Sequence, residues 1–202
     1  CCQDVTSSDW LYTSELPEAI QPAEEKEGII IDLIGFDACL MGMIEIDYEL
    51  RNLCDVVVSS EATEPWWGWP YDTILSDLVN YSSMTAYDLS KVIVNRYKER
   101  YENVEDDTTL SSVDMKYLDN VITAVDEFAN SMNFFAVNPE WQRIQDARES
   151  CQAFSEESGY YGIDLWNFAD KIEKNCLKED VVEKALAVKS SLESFIIANY
   201  AG

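Results

Sequence analysis

Residues 28–36, Gly28-Ile29-Ile30-Ile31-Asp32-Leu33-Ile34-Gly35-Phe36, form a nearly unbroken apolar run, and after Cys39 the apolar positions change to helical spacing. The run predicts a buried strand over 29–36, and the spacing that follows predicts a helix over 40–52. Asp55-Val56-Val57-Val58-Ser59 predicts a second buried strand. Such a strand–helix–strand unit closes with a right-handed crossover and parallel strands. Upstream, residues 1–14 are polar and irregular and read as a surface arm. Ser14 through Glu25 read as a short helix, with Ser14 as cap and Pro17 in its first turn. Downstream, Glu61 to Asp72 is a loop holding Trp66, Trp67 and Trp69 between two prolines. Thr85-Ala86-Tyr87-Asp88 has the form of a capping box and opens a helix to Tyr101, with Leu89, Val92, Ile93 and Tyr97 on one face. Residues 109–113 predict a short strand and Asp114 a cap for a helix to Asn130. Helices over 139–154, 164–175 and 179–199 complete the pattern. The pattern divides the chain into an α/β part, residues 1–114, and a helical part, residues 115–202. It contains no repeat and no low-complexity linker.

Composition narrows the classes of function. The chain has 202 residues, 47% of them hydrophobic, enough to bury a core in one large domain or two small ones. With 14 basic against 39 acidic residues, its formal charge is −25. Such a surface repels nucleic acid and anionic lipid and attracts cations, and most of these charges serve solubility. No apolar run is long enough for a membrane span, and no stretch of this sequence has the pattern of a signal peptide. The six cysteines, Cys1, Cys2, Cys39, Cys54, Cys151 and Cys176, have no metal-ligand spacing. Cys54 follows Leu50 and Leu53 on an apolar face and reads as core. Cys151 and Cys176 lie in helical stretches, where the sequence neither proposes nor excludes a disulfide.

Cys39 stands apart by its place. A strand that ends in a small-residue turn and opens a helix projects its turn residue at the carboxyl edge of a sheet, where open α/β sheets place their sites. A thiol there lies near the positive end of the helix dipole, which favours the thiolate. The plain alternative is a small buried hydrophobe, the usual fate of a free cysteine. Local pattern alone leaves both readings open.

The segment Ile34-Gly35-Phe36-Asp37-Ala38-Cys39-Leu40-Met41-Gly42-Met43-Ile44-Glu45 resembles the nucleophile segment of the clostripain family of cysteine peptidases. The resemblance continues through Ser59-Ser60-Glu61-Ala62-Thr63-Glu64-Pro65, Gly68-Trp69-Pro70-Tyr71-Asp72 and Thr109-Leu110-Ser111-Ser112-Val113-Asp114. It is weaker in Ile163-Asp164-Leu165-Trp166-Asn167-Phe168-Ala169. It implies a caspase-like three-layer α/β core with a mostly parallel sheet, followed by a helical C-terminal subdomain. It also implies that the N-terminal strands and a final strand lie outside this chain, and that the protein is bacterial and secreted or held at the cell surface or in the periplasm.

The implied reaction is peptide cleavage by a Cys–His dyad, yet the chain contains no histidine. In the clostripain family that histidine lies upstream of the cysteine, and self-cleavage between the two leaves two associated chains. The expected partner is therefore a histidine-bearing chain of the same precursor, with Cys39 as the nucleophile. An arbitrary chain boundary and a true pseudoenzyme are the rival explanations.

Asp37 lies two residues before Cys39, on the same side by strand alternation. A carboxylate there disfavours a thiolate, so its presence calls for a reason. The resemblance makes it the S1 carboxylate that receives a P1 arginine or lysine; a turn or helix cap is the alternative. Trp67 stands where relatives often carry an acid before the glycine, so it either stacks on the substrate guanidinium or packs against the rest of the enzyme. The oxyanion hole takes the Cys39 N–H and that of a glycine after the histidine. Asp72, Glu61 and Glu64 are oxygen donors near the site, and calcium enters by resemblance only, with no EF-hand loop and no ligands assigned. Two further readings remain: Cys1 as an N-terminal nucleophile, and a non-catalytic, peptidase-like binding module.

Overall fold

Val56-Val57-Val58 is a run of β-branched residues, stiff at χ1 and suited to a pleated surface, and all three are completely buried. They form the inner strand β4 (Val56–Ser59) of a four-stranded sheet. A computed structural model of the chain describes residues 2–103, 107–132, 139–154 and 162–202. Its two compact units are Cys1–Met115 with Ile197–Gly202, and Lys116–Ile196.

In chain order the first unit contains a hairpin of β1 (Cys2–Asp4) and β2 (Asp9–Leu11), then α1 (Leu16–Glu27), β3 (Leu33–Gly35), α2 (Ile44–Leu50) and β4. It continues with α3 (Tyr71–Asn80), α4 (Ala86–Tyr101) and β5 (Thr109–Asp114), and it takes in β8 (Ile196–Ala201) from the end of the chain. The sheet order is β3-β4-β5-β8. The sheet is mixed where a mostly parallel one was expected. β3 runs parallel to β4, with Leu33 opposite Val56, whereas β4 and β5 are antiparallel, with Val57 opposite Val113. Val56 and Val58 join Ile74 of α3, Ile93, Val94, Tyr97 and Tyr101 of α4, Leu110 and Tyr200 in one apolar cluster. Burying each of these side chains stabilises the unit by roughly 1.5–3 kcal/mol. Val57 faces the other way and is equally buried, so both faces of β4 are covered.

Several elements depart from the sequence pattern. Residues 1–14 contain the β1–β2 hairpin rather than an irregular arm. The apolar run from residue 29 becomes strand only from Leu33, and Ile29 and Ile30 are exposed. β4 begins opposite Leu33, and the N–H groups of Asp55 and Val56 both turn onto the Asp32 carbonyl, so residues 29–32 have no ladder on β4. The helix expected over 40–52 starts at Ile44. Leu40 and Gly42 instead donate their N–H groups to the carbonyls of Ala62 and Ser60, at 3.1 and 2.7 Å. The capping box at Thr85 forms as read, with Thr85 Oγ1 accepting the Asp88 N–H and the Asp88 carboxylate accepting the Thr85 N–H. Asp114 ends β5 and accepts the Tyr87 hydroxyl at 2.9 Å.

The second unit is helical: α5 (Leu118–Met132), α6 (Pro139–Glu149), α7 (Leu165–Asn175) and α8 (Glu179–Phe195), with a two-stranded ribbon of β6 (Ala153–Phe154) and β7 (Gly162–Ile163). α8 packs against both α5 and α7 through Val181, Ala185, Val188 and Leu192, spaced by three and four residues on one face. Asp164 caps α7 by accepting the Asn167 N–H at 2.7 Å. Helix α6 stops at Glu149, short of the expected 154, because Ala153 and Phe154 pair with Ile163 and Gly162. The helix expected to reach 199 stops at Phe195, where Ile196 turns extended. The following residues lie on the sheet edge beside β5, burying Tyr200 and joining the Gly202 N–H to the Thr108 carbonyl. Residues 196–201 are thus strand β8, where the sequence reading continued the helix to 199.

Candidate active site

The ladder between β3 and β4 runs one bond beyond the strand, Phe36 N–H to Val58 O, and then the chain leaves the sheet. Asp37 and Cys39 both lie past the strand end, in a turn, and both are exposed. Strand alternation therefore does not fix their directions. Nor does the dipole of α2 reach Cys39, since the effect fades within the first turn of a helix that starts at Ile44. The turn is held by other means. Leu40 adopts φ +61°, a left-handed conformation that costs a branched residue energy and that clusters at functional positions. Gly42 lies so close to the Ser60–Glu61 peptide that a Cβ would meet backbone at 2.7 Å.

The facing loop, residues 60–69, is anchored from β5. Thr109 Oγ1, buried, accepts the N–H groups of Glu61 and Ala62 at 3.1 Å each and shares a 3.0 Å bond with Ser60 Oγ. This places the Glu64 N–H 3.2 Å from Cys39 Sγ, which accepts it.

Asp37 is fixed from the same loop. Its Oδ2 accepts the Trp69 N–H at 3.2 Å. Gly68, at φ +60°, leaves room for that carboxylate, because a Cβ there would stand 2.7 Å from Asp37 Oδ2. The Gly68 carbonyl in turn accepts the Tyr101 hydroxyl of α4 at 2.7 Å. Trp69 is 7% exposed, and its ring lies over Gly35, where a side chain would collide with it. Trp67, the aromatic residue singled out in the sequence, is 74% exposed, and Trp66 also faces solvent. Burial, and after it the Asp37 charge, push the Tyr71 hydroxyl up to about 12.

Glu64 was seen in the sequence only as an oxygen donor. Its Oε1 accepts the Trp69 indole N–H at 3.3 Å. Burial pushes its carboxyl up to about 7, and the Asp37 charge adds to this. The neighbouring Tyr97 hydroxyl and the Trp69 indole favour the charged form and offset it only in part. Glu64 Oε2 and the Tyr97 hydroxyl are both buried, and neither has a hydrogen bond of good geometry. The signal for Glu64 was an acid set among proline and tryptophan.

Cys54, Cys151 and Cys176 are engaged elsewhere. Burial pushes the Cys54 thiol up to about 12. Cys151 Sγ donates to Ala147 O and Cys176 Sγ to Glu140 Oε2, so these two thiols are free and separately engaged. Cys1 lies outside the described residues. Among the described residues no group of three or more carboxylate, cysteine or histidine side chains could hold a metal ion. Nor is any described helix long and apolar enough to cross a membrane.

The turn after β3 thus presents an exposed thiol and an exposed carboxylate, each accepting a backbone N–H of the facing loop. The profile of the clostripain family matches residues 1–202, and the chain belongs to that family of cysteine peptidases. Its fold is similar to that of a B. fragilis cysteine protease, with TM-score 0.70 and 18% identity over 100% of this chain and 78% of that one. It is likewise similar to a clostripain from Bacteroides thetaiotaomicron in complex with the peptide inhibitor BTN-VLTK-AOMK, with TM-score 0.69 and 18% identity over 100% and 80% of the two chains. A secreted C11 cysteine protease from Bacteroides thetaiotaomicron, in complex with an irreversible peptide inhibitor, has TM-score 0.71 and 18% identity over 99% of this chain and 52% of that one. At these identities the likeness is one of fold. Comparison with curated proteins gives no match.

Proposed function

We propose that this chain is the cysteine-bearing part of an endopeptidase that cleaves after arginine and lysine, working with a histidine-bearing segment upstream in the same precursor. The observation that carries the reading is one turn presenting an exposed thiol and an exposed carboxylate, each held by a backbone N–H of the facing loop. The upstream histidine takes the Cys39 proton and the thiolate attacks the scissile carbonyl. The Cys39 N–H, with a second N–H from the partner segment, stabilises the oxyanion. The imidazolium then protonates the leaving amine, and water activated by the same histidine releases the acyl group from sulfur.

Asp37 pairs with the P1 cation. The Trp69 N–H orients its carboxylate while leaving lone pairs for a guanidinium, which binds carboxylates bidentately. Trp67, exposed on the adjoining loop, stacks on that guanidinium with a contribution of ~0.5–2 kcal/mol and favours arginine over lysine. Support for a basic P1 comes from the inhibitor held by the B. thetaiotaomicron clostripain, whose peptide part, VLTK, ends in lysine. Cleavage of the precursor between histidine and cysteine would leave two associated chains. Secretion is supported by the relative described as secreted.

The test is intact mass and peptide mapping after treatment with an arginyl acyloxymethyl ketone. A single adduct on Cys39, with a histidine-containing chain in the same spectrum, is expected. With that chain present and no adduct formed, the basic-P1 reading or the activity itself fails. The lack of any histidine in this chain favours a second reading, an inactive binding module. It predicts no adduct and no histidine-bearing chain co-purifying.

A further inference from the structure

Three bonds meet at Glu64. Its backbone N–H reaches Cys39 Sγ at 3.2 Å, and its backbone carbonyl lies 4.0 Å from the same sulfur. Its side chain holds the Trp69 indole N–H at 3.3 Å. The Trp69 backbone N–H, in turn, holds Asp37 Oδ2 at 3.2 Å. The nucleophile and the carboxylate two residues before it are therefore oriented from one point on the opposite loop, and the link between them passes through the Glu64 side chain. We propose that Glu64 is a positioning residue, which sets Cys39 and Asp37 relative to each other by anchoring Trp69. The Asp37 half of this proposal rests on the reading of Asp37 as the P1 carboxylate; the Cys39 half does not.

A half-buried acid is an unusual choice for such an anchor. Glutamine would accept the same indole bond without the desolvation cost of a charge, and Glu64 Oε2 is left without a hydrogen bond. What the acid adds is a bond whose strength depends on ionisation, since charge-assisted hydrogen bonds are roughly twice as strong as neutral ones. The groups facing Glu64 are Asp37 from the turn after β3, Tyr71 from α3 and Tyr97 from α4. The two tyrosines stay neutral over the working range, with Tyr71 pushed to about 12 and Tyr97 raised as well, chiefly by burial. With the Glu64 carboxyl at about 7, the anchor tightens as pH rises through neutrality.

The experiment uses the complete peptidase, histidine-bearing segment included, as wild type, Glu64→Gln and Glu64→Ala. Two readouts are followed from pH 6 to pH 8.5: kcat and KM on arginyl substrates, and the rate of Cys39 alkylation by iodoacetamide, which needs no P1 residue. Removing a hydrogen bond to a charged group lowers kcat/KM about 10- to 100-fold in the Ala variant at high pH. The Gln variant, with a neutral bond, falls about three- to tenfold at pH 8.5 and matches wild type near pH 6, where Glu64 is itself protonated. Alkylation rates should diverge over the same interval. A wild-type-to-Gln ratio independent of pH in both readouts would overturn the proposal, as would equal alkylation rates in all three proteins. A purely structural role lowers thermal stability without that pH dependence. If wild type shows no preference for basic P1, the S1 reading falls, and the alkylation series still decides whether Glu64 positions Cys39. If the Ala variant does not fold, the Gln variant suffices.

Discussion

Replacing Asp47 by asparagine should make the protein more stable above neutral pH and leave it unchanged in acid. Asp47 lies in α2 and is 5% exposed, with Oδ1 buried and lacking a hydrogen-bond partner. Burial, with a smaller contribution from the charge of Glu45, pushes its carboxyl from 3.8 to about 7. The folded protein therefore keeps a proton that the unfolded chain has already released between those two values. Stability is greatest below about 4, falls as pH rises towards 7, and stays reduced above it. An interval of roughly three pH units corresponds to on the order of 4 kcal/mol. Asparagine has nearly the same shape and no charge to desolvate, so it removes this loss without removing volume. In urea unfolding the variant should lie within about 1 kcal/mol of wild type at pH 4.5 and exceed it by roughly 2–4 kcal/mol at pH 8.5, with m unchanged. Parallel stability curves for the two proteins across that range would refute the argument.

Asp37→Asn should reduce kcat/KM on arginyl and lysyl substrates by about two to three orders of magnitude, the cost of unpairing a desolvated cation. Steady-state kinetics should show no comparable loss in the rate at which iodoacetamide modifies Cys39. Gly68→Ala introduces a Cβ at φ +60° and 2.7 Å from Asp37 Oδ2. It should cost ~1–2 kcal/mol in urea unfolding and raise KM for basic substrates. Time-resolved alkylation at pH 8 should modify exposed Cys39 first. Cys54, with its thiol at about 12, would be about one part in ten thousand thiolate and should react only on unfolding.

The strongest signals in the sequence were those that depend on neighbours in the chain. The Thr85 capping box and the valine run of β4 can both be read locally because each is decided within a few residues. Ends decided elsewhere were not legible. Residues 29–32 look like strand, but β4 is too short to pair with them. Residues 196–201 continue a helical pattern, but the open edge of β5 captures them as β8. The site divides in the same way. Cys39 and Asp37 could be picked out by motif, although the reasons first given for their geometry, strand alternation and a helix dipole, do not operate in the folded turn. Glu64, Gly68 and Thr109 act through contacts with residues far along the chain, which no local pattern records.

Thr109 carries one more implication, for when the site can exist at all. Its hydroxyl meets Ser60, 49 positions away in sequence, and through the 60–64 loop it sets the donor facing Cys39. Bringing such distant residues together is slow compared with forming a helix or a tight turn. The register is also strict, since a slip of one position along β5 would put leucine or a different threonine under the loop. The thiol of Cys39 is therefore chemically present early in folding, while its surroundings are assembled only when β5 docks. During synthesis, a chain that has not yet released Thr109 from the ribosome holds Cys39 but not the loop geometry that faces it.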